Sequence, residues 1–93
     1  MSDISEDLNE RLTLVAEECS EVIQAICKIQ RFGYEPNPET GESKKAQLEK
    51  EIGQLNLAIN MLFAAQDIDR YEVLRNYNLK YTSINQFLNN NEV

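Results

Sequence analysis

Residues 8–29 read LNERLTLVAEECSEVIQAICKI and carry a regular pattern of apolar residues. The apolar residues recur at alternating spacings of three and four, and they are Leu8, Leu12, Val15, Cys19, Val22, Ile26 and Ile29. This period places them on one face of an α-helix, because a helix completes a turn in about 3.6 residues. Ser2 or Ser5 can cap the start and Gly33 can end it, so we predict a helix over about residues 5–31.

A second helix is predicted after an irregular loop. The loop, residues 33–43, holds both prolines and two of the three glycines. Ser43 can cap a helix over about residues 44–66, and apolar residues lie on two of its faces. The wider face holds Leu48, Ile52, Leu55, Ile59, Leu62 and Phe63, and the opposite face holds Leu57 and Met61. Two apolar faces predict a partner on each side. Gly53 costs up to about 1 kcal/mol relative to alanine, which indicates that another helix or a ligand approaches closely there, and we predict close helix packing.

The third predicted helix covers about residues 70–88. Asp67 or Asp69 can cap it, and its narrow apolar seam consists of Leu74, Tyr77, Tyr81, Ile84 and Leu88. We expect residues 89–93 to form a flexible tail. A chain of 93 residues makes a single domain, residues 1–93, with a thin core. The expected fold is therefore all-α: an antiparallel bundle of about three helices, completed by self-association as a homodimer or dimer-based tetramer.

Composition restricts the partners and the location. The net charge of −7 argues against binding to a nucleic acid polymer or an anionic membrane, since both require clustered basic residues. No apolar run approaches the roughly 20 residues that span a bilayer, and the N-terminus does not resemble a signal peptide, so we expect a cytoplasmic protein. Cys19 and Cys27 lie about 12 Å apart along one helix, beyond disulfide reach, and we expect them to be reduced core residues.

Acidic residues cluster on both of the first two helices. Glu17, Glu18 and Glu21 lie within one turn of each other, and Glu51 flanks the apolar stripe of the second helix. Carboxylates that converge from two antiparallel helices would line a site with oxygen ligands, which suit Mg²⁺ or Mn²⁺. A solvated acidic face is the alternative that spacing alone leaves open.

Two sequence phrases resemble a known enzyme family. The phrase EECSEVIQA at residues 17–25, followed by LEKEIGQL at residues 48–55, resembles the MazG-like all-α nucleoside triphosphate pyrophosphohydrolase superfamily. The signature of that family is EExxE, a spacer and ExxD, and the resemblance covers about residues 8–66. It implies hydrolysis of a (deoxy)nucleoside triphosphate between its α and β phosphates, giving a monophosphate and pyrophosphate, with Mg²⁺ or Mn²⁺ as cofactor.

The resemblance also implies roles for the acidic residues. Glu18, Glu21 and Glu51 would bind the metal, while Glu17 would be a further ligand, a group supporting the ligands or the base that orients water. Glu17 and Glu18 are thus the catalytic candidates. Gln54 stands where the family has aspartate and would offer one neutral carbonyl oxygen to the metal. This departure supports an alternative function, a catalytically impaired relative that binds a nucleotide or another helical protein. A purely structural helical oligomer is the third possibility.

Four residues are candidates for substrate binding. Lys28 and Arg31 are the basic residues nearest the acidic cluster in sequence, and they can hold phosphate oxygens or act as solvated charges at a helix end. Lys80 and Tyr81 are similar to a Lys-Tyr pair that some family members place near the nucleotide. Tyr81 also belongs to the apolar seam, so a core role remains open.

Overall fold

The computed structural model describes residues 3–41 and 43–88. The described residues form three helices, α1 (Glu6–Phe32), α2 (Lys44–Ala64) and α3 (Arg70–Phe87), and contain no strand. The prediction of an all-α fold is confirmed. Each helix begins and ends within two residues of its expected bounds, and α2 shows the largest difference because it ends at Ala64. The expected tail, residues 89–93, lies outside the described residues.

Short polar side chains and one glycine set the helix ends. The Ser5 side chain accepts a hydrogen bond from the Leu8 amide at 3.1 Å, so Ser5 is the cap of α1; Ser2 lies outside the described residues. Gly33 ends α1 with a φ of 86°, a conformation that favours glycine, and its amide donates to the carbonyl of Ile29. Ser43 caps α2 in the same way as Ser5 caps α1.

The two aspartates between α2 and α3, Asp67 and Asp69, have different roles. Asp69 caps α3 by accepting from the Tyr71 amide at 2.8 Å. Asp67 instead forms a two-pronged ion pair with Arg11, with Nε to Oδ2 at 2.6 Å and Nη2 to Oδ1 at 3.0 Å. The hydrogen bond from Arg11 lowers the pKa of the Asp67 carboxyl from its ordinary value. Between the two helices, Gln66 adopts a positive φ of 62°.

Helices α1 and α2 pack as an antiparallel pair. At one end, the ion pair joins Arg11 near the start of α1 to Asp67 just after α2. At the other end, Lys28 in the last turns of α1 lines one cavity together with Lys44 and Gln47 from the first turn of α2. Among the residues whose burial the structure describes, the buried positions lie on these two helices, and they are Ala25, Glu51, Ala58 and Leu62. One of the four is a carboxylate, which is unusual for so small a core.

Helix α3 lies away from this pair and makes almost no contact with it. Most of its large apolar side chains are exposed, with Tyr71 at 83% and Phe87 at 82% of full exposure, while Ile84 is half-buried. The expected packing of α3 as the third member of a bundle is therefore not found within one chain.

Two smaller expectations were wrong. Cys19 and Cys27 are free but exposed, because α1 has a packing partner along one side only, so they are not core residues. A Cβ atom added to Gly53 would meet nothing within 4 Å, so no helix of this chain packs closely there. No helix in the described part of the chain is long and apolar enough to cross a membrane.

Candidate functional site

Glu51 is the buried carboxylate of the helix pair. It is 5% exposed, and its Oε1 accepts a hydrogen bond from Gln47 Nε2 at 2.8 Å, one turn earlier in α2. Burying a carboxylate is costly unless charged or hydrogen-bonding partners compensate for lost water. One neutral amide donor offsets only part of that cost. A bound cation would offset the rest, which makes Glu51 a candidate ligand.

Glu18 has the second unusual carboxylate. Its side chain is partly buried, and its Oε2 atom is almost completely inaccessible to water yet has no hydrogen-bond partner among the described residues. Leaving a buried polar atom unsatisfied costs about 1–3 kcal/mol, and more for a charged group. A cation would remove this cost by supplying the missing partner.

The antiparallel register brings these two carboxylates into the same stretch of the interface. The contacts at the two ends of the helix pair define the antiparallel register, which sets Glu51 of α2 about level with Glu21 of α1. Glu18 is three residues from Glu21, so it is offset from Glu51 by about 5 Å along the helix axes. Since α3 barely touches α1 or α2, the burial of Glu18 and Glu51 arises mainly from the packing of these two helices. Both side chains offer only oxygen atoms, the ligands preferred by Mg²⁺ and Mn²⁺.

The other predicted metal and catalytic residues, Glu17, Glu21 and Gln54, are exposed to solvent. Within the described residues, no group of three or more acidic, cysteine or histidine side chains is arranged to hold a metal ion. Of the predicted ligands, Glu51 is buried and Glu18 partly buried in the interface between α1 and α2, and the described residues do not assemble the full set. The orphaned oxygen of Glu18 and the all-oxygen donor set nevertheless fit a hard divalent cation.

Comparison of the chain with protein-family models, curated proteins and solved structures found no match. The resemblance of residues 17–25 and 48–55 to the MazG-like signature thus stays a prediction from the motif.

The predicted substrate-binding residues lie in three different places. Lys28 lines a cavity at the end of the helix pair that is also lined by Gln47, the hydrogen-bond partner of Glu51. Arg31 lies over the ring of Phe32, with its guanidinium carbon 5.8 Å from the ring centre. Lys80 and Tyr81 line a shallow depression formed entirely by α3 residues. Of the four candidates, Lys28 is the one that lines the same cavity as Gln47, which is hydrogen-bonded to Glu51.

Sequence reasoning did not select Gln47 or Lys44. The interval of four residues between Gln47 and Glu51 is a signal for a bond along one helix face, so Gln47 could have been found. Lys44 could not, because its position beside Lys28 depends on the register between two helices.

Proposed function

We propose that this protein is a metal-dependent nucleoside triphosphate pyrophosphohydrolase, which converts a (deoxy)nucleoside triphosphate and water into the monophosphate and pyrophosphate. The observation that carries the proposal is the buried Oε2 of Glu18, which has no hydrogen-bond partner among the described residues, on the helix that packs against the one carrying the buried Glu51. The motif phrases around both residues support the same reading.

Glu18, Glu21 and Glu51 would hold Mg²⁺ or Mn²⁺. Such an ion, when bound, neutralises triphosphate charge and lowers the pKa of a bound water. Gln47 keeps Glu51 in place through its hydrogen bond. Glu17 is exposed, follows Ala16 and precedes Glu18 on α1, and could accept a proton from water, while the neutral Gln54 is exposed on α2. Lys28 is the cation best placed for phosphate oxygens.

The active form is proposed to be a cytoplasmic homodimer or dimer-based tetramer. Exposed apolar residues on α3, together with Leu57 and Met61 on α2, offer surface for a second copy. The free thiols of Cys19 and Cys27 suit a reducing compartment.

A second candidate function is nucleotide binding, or binding of another helical protein, without hydrolysis. The observation that favours it is the incomplete acidic set: Gln54 is neutral, and Glu17 and Glu21 are exposed. Calorimetry with nucleotide and metal separates the two, because binding without product formation supports this candidate.

The decisive experiment is incubation of the purified protein with a panel of canonical and modified (deoxy)nucleoside triphosphates plus Mg²⁺ or Mn²⁺. We expect monophosphate and pyrophosphate in equal amounts, and no product after chelation of the metal. Glu18→Gln should abolish turnover, whereas the matched variant Glu49→Gln, exposed on α2, should retain it. Absence of product with every nucleotide would remove the proposed activity.

A further inference from the structure

A small cavity lies between the end of α1, the following loop and the start of α2. Its volume is about 120 Å³, and its lining consists of Ala25, Lys28, Asn37, Lys44 and Gln47. Ala25 is buried at its base, while the remaining lining side chains are polar. The two lysines come from different helices, so the cavity exists only because α1 and α2 pack in this register.

The cavity concentrates positive charge in an acidic protein. Among the described residues, neither Lys28 nor Lys44 forms an ion pair, although the chain has a net charge of −7. Lys44 and Lys45 occupy the first turn of α2, where the helix dipole disfavours cations. The first turn of α1 instead carries Glu6 and Asp7, as the dipole favours. An anion in the cavity would relieve the repulsion between the lysines and the α2 terminus.

Gln47 connects this cavity to the carboxylates. Its side chain lines the cavity and also donates to Oε1 of Glu51. Gln47 lies four residues, or about 6 Å, before Glu51 along α2. Lys44 is seven residues from Glu51, and Lys28 is seven residues from Glu21, so the lysine backbones lie about two turns, or about 10 Å, from the candidate metal site. A phosphate chain that is attacked at the carboxylates can therefore extend into the cavity.

The size of the cavity decides which part of a nucleotide it accepts. Pockets for drug-sized ligands and cofactors have volumes of about 300–1,000 Å³. A space of about 120 Å³ lined by two lysines is too small for a nucleoside and suits phosphate groups. We propose that this cavity binds the terminal β and γ phosphates of the substrate and retains them as pyrophosphate after cleavage, an inference that rests on the proposed function. Lys28 and Lys44 hold the phosphate oxygens, and the nucleoside lies on the far side of the carboxylates.

The test is calorimetric titration of pyrophosphate into the whole protein, first without divalent metal and then with Mg²⁺. The wild type should bind in both conditions. Lys44→Gln should weaken binding about tenfold or more, because a charge-assisted contact is lost. Lys45→Gln is the matched control: it removes the same charge from the adjacent, exposed position outside the cavity, and should change affinity by less than about twofold.

Lys28→Gln, on the other helix, provides a second variant if Lys44→Gln does not fold, which circular dichroism will show. Failure of the wild type to bind pyrophosphate, or equal affinities of the Lys44 and Lys45 variants, would overturn the assignment. Pyrophosphate binding that depends on Lys44 in a protein without turnover would retain the cavity assignment and remove the proposed activity. If the protein hydrolyses a nucleotide but the Lys28 and Lys44 variants bind pyrophosphate as tightly as the wild type, the proposed activity would stand and the cavity assignment would be removed.

Discussion

The orphaned oxygen of Glu18 illustrates how a single residue can oppose folding and favour binding. A charged atom without water or a donor raises the free energy of the folded chain. A ligand that binds only the folded state lowers that free energy in proportion to its occupancy. The same carboxylate should therefore destabilise the metal-free protein and stabilise the metal-bound one.

Glu18→Gln should leave the melting temperature of the metal-free protein unchanged or slightly higher, because glutamine buries no charge. It should also abolish the rise in melting temperature on adding Mn²⁺. Differential scanning fluorimetry with and without metal measures both effects, and Glu49→Gln supplies the control for loss of one acidic residue. A large loss of metal-free stability together with retained activity would show that Glu18 is structural.

Gln54 provides a second test at the residue scale, because it lies about one helical turn from Glu51. Gln54→Asp should tighten binding of Mn²⁺ or Mg²⁺ by adding a carboxylate, with turnover raised if metal occupancy limits the native protein. Gln54→Leu should weaken metal binding, since it removes the carbonyl oxygen. Calorimetry measures the three affinities, and equal values would place residue 54 outside the metal site.

At the scale of elements, local features could be predicted and long-range ones could not. The helix periods and the serine caps depend on residues within one turn, so the sequence suffices to find them. The choice of Asp69 over Asp67 as the cap of α3 depends on Arg11, which is 56 residues from Asp67. The same distinction applies to the candidate site. Glu18 and Glu51 could be selected from their sequence motifs, whereas their burial could not be predicted, because it depends on the register in which α1 and α2 pack.

The ion pair between Arg11 and Asp67 should make stability depend on pH. Because the folded pKa of Asp67 is lowered, its contribution is fully present above the ordinary aspartate pKa and is lost as pH falls through the folded value. Urea unfolding should show Asp67→Asn less stable than wild type at neutral pH, with the difference shrinking in acid. Glu72→Gln removes the exposed pair with Arg75 and should have little effect. A difference that is constant across pH would contradict this assignment.

At the scale of the whole molecule, the structure consists of a packed helix pair and a third helix with little support. The chain measures 49 × 34 × 24 Å along its principal axes, an extended shape for 93 residues. The apolar seam of α3 was predicted from its spacing, but the sequence carries no information on whether its partner belongs to the same chain. A second copy of this chain would supply a partner for α3 without any other protein.

Leu74→Glu should shift the protein from oligomer to monomer, since it places a charge in the exposed apolar seam of α3. Glutamate favours helix formation, so α3 itself should persist. Ser83→Glu is the control because residue 83 lies on the face opposite Leu74 and is exposed. Light scattering at micromolar concentration gives the masses. A monomeric wild type would contradict the proposed assembly.

The detachment of α3 from the helix pair has a consequence for folding kinetics. The contacts between α1 and α2 close one loop within a single chain, so their formation is a first-order process whose rate does not depend on protein concentration. If α3 packs only against a second copy, its ordering requires an encounter between two chains and becomes faster at higher concentration. Stopped-flow refolding followed at the α3 tyrosines Tyr71, Tyr77 and Tyr81 should then show a slow phase whose rate rises with concentration. The active population would therefore be set by the rate at which newly made chains meet as well as by the rate at which each one folds.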